Sequence, residues 1–515
     1  MSESNVEIVP DRPEKTARSR ESDKKEEPPA SSTPKSVYIE TDVVEDEVLY
    51  ASLQKLHYYH GFLPREDLAL ILNNDGDYLI RVSEVVVRAN GPGDSGIKRD
   101  IILSVCVSDG SDHNSKDVKS EHGGRKMRNL VIRRYDGKVG IKTGCMFDTI
   151  EALLANHHVS NKNESRDMRI LKTPCSLQSW EYRHSAVKLG EKLGEGAYGE
   201  VRKGMLQRKG KSYPVAVKLT KGNVSDMNKL KIREMMKEAR LMRYFKHPNV
   251  VRFYGVAVVE QPLYIFLELV NGGALNTYLQ KHKSAIKLPE LMNMCYGAAR
   301  GLQYLHANQC IHRDIAARNC LYSADKVTKL SDFGLSLIGK QYKLGSAQKL
   351  PIKWLAPETI TTMLFTHKTD VYSYGVMCFE IFAEGNEPWD GITNTEAKRN
   401  VVQGRHLQLS GTSPDTFRSF VHEKVFVVDP MRRVVMNDVV RFIEPIITDL
   451  KAGNLVETAA AVVEKSARIQ QSVMMPLIPE VPPVKPKENS TRSKSRDKKK
   501  AAVVPPKQPT KLAKK

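Results

Sequence analysis

Residues 311–320 read Ile-His-Arg-Asp-Ile-Ala-Ala-Arg-Asn-Cys, "IHRDIAARNC". They follow an apolar, helical stretch, "CYGAARGLQYLHANQC" (295–310), and precede strand formers. An ordinary exposed loop would scatter its polar groups. This one crowds a carboxylate (Asp314), an amide (Asn319) and two guanidinium groups (Arg313, Arg318) into one short run. Further on, "KLSDFG" (329–334) places Asp332 beside Phe333 and Gly334, and the glycine permits a sharp backbone turn. Two carboxylates and an amide make oxygen ligands suited to Mg²⁺, and a carboxylate left over from metal binding can accept a hydroxyl proton.

Upstream, "KLGEGAYGEVRKG" (192–204) carries Gly194, Gly196 and Gly199. A dinucleotide-binding reading of that spacing requires a helix after the glycines. Instead Val201 opens a short strand, "QRKGK" supplies turn residues and "YPVAVKL" alternates as a second strand. The glycines therefore belong to a hairpin, a flap whose bare backbone amides can approach an anion closely. Lys218 ends "VAVK" among β-branched residues, where a half-buried ammonium needs an anionic partner. The following helix, "MNKLKIREMMKEARLMRYF" (227–245), offers Glu234 and Glu238.

The 515 residues exceed what a single core organises, so at least two domains are expected. Hydrophobic residues are 40% and charged residues 27%, which suits water-exposed globular domains with polar tails. No apolar run reaches the ~18 residues of a spanning helix. "MSESNVEIVP" has no signal core, and Ser2 stands where myristoylation needs glycine. The seven cysteines are scattered and odd in number, as in a reducing compartment. Residues 481–515 hold twelve Lys/Arg against two Asp/Glu, a net +10, half of the chain's +20. That basic tail cannot build a core and suits an anionic membrane surface or an acidic partner. Nothing in the folded stretches points to specific nucleic acid.

The ordered set of glycine loop, Lys218 strand, "IHRDIAARN", "SDFG", "APE" (356–358) and "TDVYSYG" (369–375) resembles a protein kinase catalytic domain. The resemblance implies ATP and Mg²⁺ (or Mn²⁺) as cofactors. It implies that Lys218 grips the ATP phosphates, with Glu238 holding it, since Glu238 stands at the family's distance before "HPNVV" (247–251). Asp314 becomes the catalytic base and Asn319 and Asp332 the metal ligands. Leu193, Gly194, Glu195, Gly196, Ala197, Tyr198, Gly199, Val201 and Ala216 would line the nucleotide site. Leu267 would stand at its back, with Glu268 to Val270 as the hinge. Glu358 would pair with Arg433. The loop reads Asp314-Ile-Ala-Ala-Arg318-Asn319, the tyrosine-kinase pattern, with Arg318 joining the catalytic group. "KLPIKWLAPE" (349–358) resembles the tyrosine-kinase substrate shelf. Three positions depart from the family: Tyr372 and Phe426 replace Trp, and Val434 replaces Pro.

A second resemblance lies upstream. "YYHG" (58–61), a helix opening at Arg65, "GDYLIRVS" (76–83), the strands "IILSVCV" (101–107) and "RNLVIRR" (128–134), and the helix "FDTIEALLANHH" (147–158) are similar to an SH2 domain. This implies phosphotyrosine binding by Arg81, assisted by Arg65 and Ser83. Asn129 stands where that family has His, and a long loop is expected after Ser83. The order of the two domains and "QPLYIFLELVNGG" (261–273) resemble the Fes/Fer non-receptor tyrosine kinases. The F-BAR region of that family is not expected in the roughly 50 residues ahead of the SH2-like stretch.

The expectation is thus an α+β chain: a disordered segment 1–49, an SH2 domain 50–175 (central antiparallel sheet flanked by two helices), a connector 176–185, a two-lobed tyrosine kinase domain 186–447 and a basic tail 448–515. It would phosphorylate tyrosine-containing proteins and bind phosphotyrosine proteins, in the cytoplasm with recruitment to the inner face of the plasma membrane. The rival is a phosphotyrosine-binding scaffold with a dead kinase fold. Inactive kinases commonly lose the lysine, base or metal ligand, and all are present here. Tyr342, nine residues before Pro351, is the expected autophosphorylated tyrosine, and its phosphate would pair with Arg313.

Overall fold

The computed structural model describes residues 41–88, 95–108, 125–142, 144–158, 171–196, 199–220, 229–345 and 350–452. Ala197, Tyr198 and most of the basic tail lie outside them. The chain divides into two units, Met1–Ser52 and Leu53–Lys515. Helix α1 (Thr41–Lys55) starts within the segment expected to be disordered. The Arg183 side chain donates to the carbonyls of Gln54 and Leu56, closing the helix end with a long-range bond that composition cannot show.

The first sheet holds β1 (Asp77–Arg88), β2 (Ser95–Ser108), β3 (Arg125–Tyr135), β4 (Lys138–Lys142), β5 (Cys145–Phe147) and β6 (Thr173–Pro174), in the order β5-β4-β3-β2-β1-β6. All pairs are antiparallel except β1 with β6. Helix α2 (Ile150–His158) follows β5. The helix expected from Arg65 is a short 3-10 segment of two turns, Arg65–Leu70. It stops early because the Asp77 carboxylate captures the N–H groups of Asn73 and Asn74, at 3.0 and 2.7 Å. The long loop expected after Ser83 is mostly ladder: Glu84 pairs with Arg99 and Arg88 with Ser95. Only 89–94 remain between the strands, outside the described residues.

The second sheet has the order β10-β11-β9-β8-β7. Its strands are β7 (Val187–Gly196), β8 (Gly199–Arg208), β9 (Lys211–Leu219), β10 (Phe253–Ala257) and β11 (Tyr264–Glu268), with α3 (Lys229–Met242) between β9 and β10. Beyond it, α4 (Leu275–His282), α5 (Leu288–Ala307), α6 (Pro357–Thr362), α7 (His367–Phe382), α8 (Asn394–Val402), α9 (Asp415–Phe420) and α10 (Met436–Lys451) form a mainly helical lobe. Its apolar core is one cluster running from Leu241 to Ile447. The last helix passes the expected domain end at 447 by one turn. Among the described residues no helix is long and apolar enough to cross a membrane.

Leu53–Lys515 is a single unit, and the bonds that make it so join the two sheets. The Phe62 N–H donates to the Val258 carbonyl at 2.8 Å. Gly61, at φ 56°, lies so close that a Cβ there would come 2.2 Å from the Val258 oxygen. Asp67 holds Arg240 of α3 through two parallel bonds of 2.8 Å, and Glu66 holds Arg233 at 2.7 Å. The connector is stitched to both sides. Cys175 donates its N–H to the Tyr78 carbonyl, the Tyr182 N–H donates to the Val256 carbonyl of β10, and the Val256 N–H donates to the Trp180 carbonyl. Buried His60 sets Nδ1 against Glu181 at 2.9 Å and Nε2 against the Cys175 carbonyl at 3.0 Å.

Candidate active site

The glycine loop is the β7–β8 hairpin, in which Gly194 faces Val201 and Gly196 faces Gly199. A Cβ at Gly194 would meet nothing within 4 Å, so the backbone there borders open space. In β9, Lys218 lies between Val201 of β8 and Ile265 of β11, and Ala216 pairs with Leu267. These registers gather Val201, Ala216, Lys218 and Leu267 under the flap. Leu193 is exposed at its rim. Glu268 ends β11, accepts the Arg252 N–H and pairs with Lys329 at 3.0 Å, and Val270 is buried just beyond.

Of the two candidate glutamates, Glu238 meets the lysine: Lys218 Nζ donates to its two oxygens at 3.0 and 2.8 Å. Burial pushes the Glu238 carboxyl up, against the pull of Lys218 and the Phe333 N–H. Glu234 is exposed on the helix flank. The pair forms because α3 packs its Met235, Met236 and Ala239 face inward, and Glu238 shares that face.

Asp314 is gripped from two sides. Arg318 pairs with one oxygen, and Asn319 Nδ2 donates to the other at 2.7 Å. Because the Asn319 amide nitrogen also donates to the Asp314 carbonyl at 2.8 Å, its own oxygen points elsewhere. The Asn319 carbonyl accepts the N–H and hydroxyl of Ser331, which ties it to Asp332 one residue on. Arg313 and Asp332 both adopt left-handed backbone, φ 72° and 56°, a conformation that costs energy and is held by the surroundings. Phe333 is buried against Phe245 and His312. An amide oxygen and one carboxylate fit a hard divalent cation that takes its remaining ligands from phosphates and water.

Two residues that sequence reasoning left unassigned build this loop. Asp370 of α7 accepts the His312 and Arg313 N–H groups at 2.8 and 2.9 Å and His306 Nε2 at 3.0 Å. Its place in "TDVYSYG" was the available signal. Glu380 of the same helix accepts the Ala317 N–H at 2.9 Å, and no local pattern marks it. The expected Glu358–Arg433 pair is present, at 2.6 and 3.0 Å. Tyr372 and Phe426 fill the tryptophan positions edge to face, 5.2 Å apart. Val434, where the family has Pro, donates an N–H to Lys424 that proline could not.

Tyr342 lies on a short strand, Gln341–Lys343, paired with Leu364–Thr366. The Arg313 guanidinium sits 4.6 Å from its ring centre and 4.3 Å from that of Phe365. Arg313 Nη1 donates to Leu335, but its Nε and Nη2 are buried with no partner among the described residues.

In the first sheet, Arg81 is buried and donates to Ser104 Oγ and Asn129 Oδ1, both at 3.1 Å. Ser104 in turn donates to Asn129 at 2.8 Å. Burial and nearby Arg65 pull the Arg81 guanidinium down to about 10. Ser104 was missed, although it lies on β2 two residues beyond Ile102, the cross-strand partner of Arg81. Arg65 is exposed at the start of the 3-10 segment, and Ser83 is half-buried.

The two-lobed fold and the residues gathered between the lobes define a protein kinase. The family described as "Protein tyrosine and serine/threonine kinase" matches residues 187–443. The chain belongs to the Fer-related tyrosine kinases. It is 33% identical over 407 residues to Fer-related kinase 1 of Caenorhabditis elegans, covering 78% of this chain and 96% of that one. It is 33% identical to Tyrosine-protein kinase Fer of Mus musculus over 79% of this chain, but spans only 46% of that protein. Spermatocyte protein spe-8 of C. elegans is 31% identical over 72% of this chain and 68% of its own length. A kinase domain implies ATP, a divalent cation and protein substrates.

Proposed function

We propose that this tyrosine kinase transfers the ATP γ-phosphoryl group to protein tyrosine and is localised and supported by a phosphotyrosine-binding SH2 domain. The observation that carries the catalytic part is Asp314, fixed by Arg318 and Asn319 within one residue chain of Asp332, while Lys218 is already closed on Glu238. Bound Mg²⁺ would supply electrostatic stabilisation of the phosphates, with Asn319 and Asp332 as its protein ligands. The glycine hairpin covers the phosphates, Lys218 steadies them and Asp314 orients the phenol and accepts its proton. Pro351 and Trp354 form the shelf for the phenol. Nothing favours the dead-scaffold alternative, since Lys218, Asp314, Asn319 and Asp332 are all present.

The SH2 reading rests on Arg81, a buried cation whose side-chain acceptors are the neutral Ser104 and Asn129. An incoming phosphate would supply the missing charge, with Arg65 and Ser83 at its edge. Support of catalysis rests on Asp67–Arg240 and Glu66–Arg233, which fasten this domain to the helix that presents Glu238. Autophosphorylation of Tyr342 would place an anion beside the two Arg313 donors that have no partner among the described residues. The expected location is the cytoplasm, with membrane recruitment through phosphotyrosine partners or the basic tail. The deciding experiment measures ATP-dependent transfer to a tyrosine peptide and to its serine counterpart. Transfer to tyrosine alone is expected, and Asp314→Asn is expected to cut kcat by ~10²-fold or more while nucleotide binding persists. Equal rates on both peptides, or normal turnover in the variant, would overturn the assignment.

A further inference from the structure

One helix, α7, holds both ends of the catalytic loop. Asp370 takes the His312 and Arg313 N–H groups at one end. Glu380, ten residues on and so ~15 Å along the axis, takes the Ala317 N–H at the other. Asp370 serves the loop and His306. Glu380 does something different, because the same oxygen, Oε2, also accepts the indole N–H of Trp354 at 3.0 Å. Trp354 belongs to the substrate shelf, three residues after Pro351. The helix holds that residue a second way, through the Ser373 hydroxyl on the Trp354 carbonyl at 2.8 Å. Across the indole face lies the Arg318 guanidinium, 4.3 Å from the ring centre, and Arg318 is the side chain paired with Asp314.

These contacts close a ring: Glu380 to Ala317, along the loop to Asp314, through Arg318 to Trp354 and back to Glu380. We infer that Glu380 is a positioning residue that sets the spacing between the Asp314 carboxylate and the tyrosine shelf. It touches neither nucleotide nor acceptor. It fixes one oxygen atom to which the base-bearing loop and the acceptor platform are both referenced. Misplacement of reacting groups by ~1 Å can cost on the order of 10²-fold in rate. A carboxylate with two donors on one oxygen is a stiff reference, since charge-assisted bonds are shorter and stronger than neutral ones. The carboxylate is buried, and these two bonds offset part of the hydration it loses there.

The same burial pushes the Glu380 carboxyl up to about 7, against the pull of the Ala317 and Trp354 N–H groups and Arg318, with Asp314 pushing further up. Arg318, Asp314 and the Cys320 thiol are the charged or titratable groups facing it. The ionised form accepts both bonds at full strength. As pH falls through about 7 the carboxyl takes up a proton and the tie loosens.

The proposal rests on the tyrosine-kinase reading, and the wild-type enzyme on tyrosine and serine peptides tests that reading by itself. The positioning role is tested on full-length variants. In E380A, kcat/KM for the tyrosine peptide should fall ~10–100-fold with KM for ATP unchanged. E380Q keeps an acceptor oxygen and should recover most of that loss, and it should lack the acid limb near pH 7 that is expected of wild type. Trp354→Phe keeps the ring and removes the donor, so it tests the tie even if E380A does not fold. It should lower peptide kcat/KM several-fold, and adding it to E380Q should cost less than the sum of the two. Unchanged peptide kcat/KM in Trp354→Phe, strict additivity of the pair, or an equal rise in KM for ATP would overturn the inference.

Discussion

Arg433 and Arg81 are both buried, and the chain treats them in opposite ways. Arg433 is enclosed: two bonds to Glu358, and carbonyls of Lys368, Val427 and Val428 around the rest of the fork. Among the described residues the Arg81 guanidinium donates to a hydroxyl and an amide oxygen, and it is pulled down to about 10. A buried guanidinium costs several kcal/mol of lost hydration, which a carboxylate in good geometry largely offsets and neutral acceptors do not. The first arrangement belongs to the architecture, and the second is the one on which the proposed phosphotyrosine site rests. Arg240 and Arg313 fall between. Burial pulls Arg240 down, yet Asp67 leaves it raised overall. Arg313 keeps two donors beside Tyr342 that have no partner among the described residues.

The sharpest way to break the contrast is Glu358→Gln. It leaves the most enclosed arginine without its counter-charge and should cost ~3–5 kcal/mol, read by urea unfolding. A loss under 1 kcal/mol (roughly the value of an exposed pair) would place Arg433 in the same class as Arg81. Next, Arg81→Lys should leave the unfolding midpoint unchanged or slightly higher. It should weaken phosphotyrosine-peptide binding ~10-fold or more, because a compact ammonium cannot reproduce the planar fork. Calorimetry showing unchanged affinity would rule out Arg81 as the anchor. Asp67→Asn takes the carboxylate from Arg240 and should slow peptide phosphorylation by the full chain several-fold, ~1 kcal/mol, through a loosened α3. Equal or faster turnover would show that the two folded regions act independently, or that the first restrains the second. The smallest effect is expected from Tyr342→Phe. The ring contact with Arg313 persists, so basal rates should match wild type, while the gain after preincubation with ATP, about threefold or more, should vanish. A full gain in the variant would leave the Arg313 donors unexplained.

Much of the site was legible because its chemistry is local. The candidate base, amide and metal carboxylate come from one loop and one turn, so Asp314, Arg318, Asn319 and Asp332 lie within a short span. The glycine hairpin was legible for the same reason, since backbone approach to phosphate requires those glycines in one turn. The choice between Glu234 and Glu238 came from the resemblance, and the inward face of α3 gives its physical reason. The 3-10 segment at Arg65 was overestimated, because the apolar spacing of "REDLALILNN" suits a longer helix and the Asp77 carboxylate that stops it was not weighed. The long loop after Ser83 was misread because Val85 to Val87 and their partners form strands whatever lies at the tip.

The sequence by itself determined the kinase class, the order of the two folded regions and the candidate residues of the site. Those assignments depend on residue type at fixed short spacing, which the chain carries directly. Only the tertiary structure decided which groups hold them in place. Asp370 reaches the catalytic loop across 58 residues, Glu380 reaches Ala317 across 63, and Arg240 reaches Asp67 across 173. A carboxylate on a helix has no local feature that separates a solvated charge from a buried reference point. That difference is made by the low-dielectric packing around it and by the distant N–H or guanidinium that folding brings to meet it.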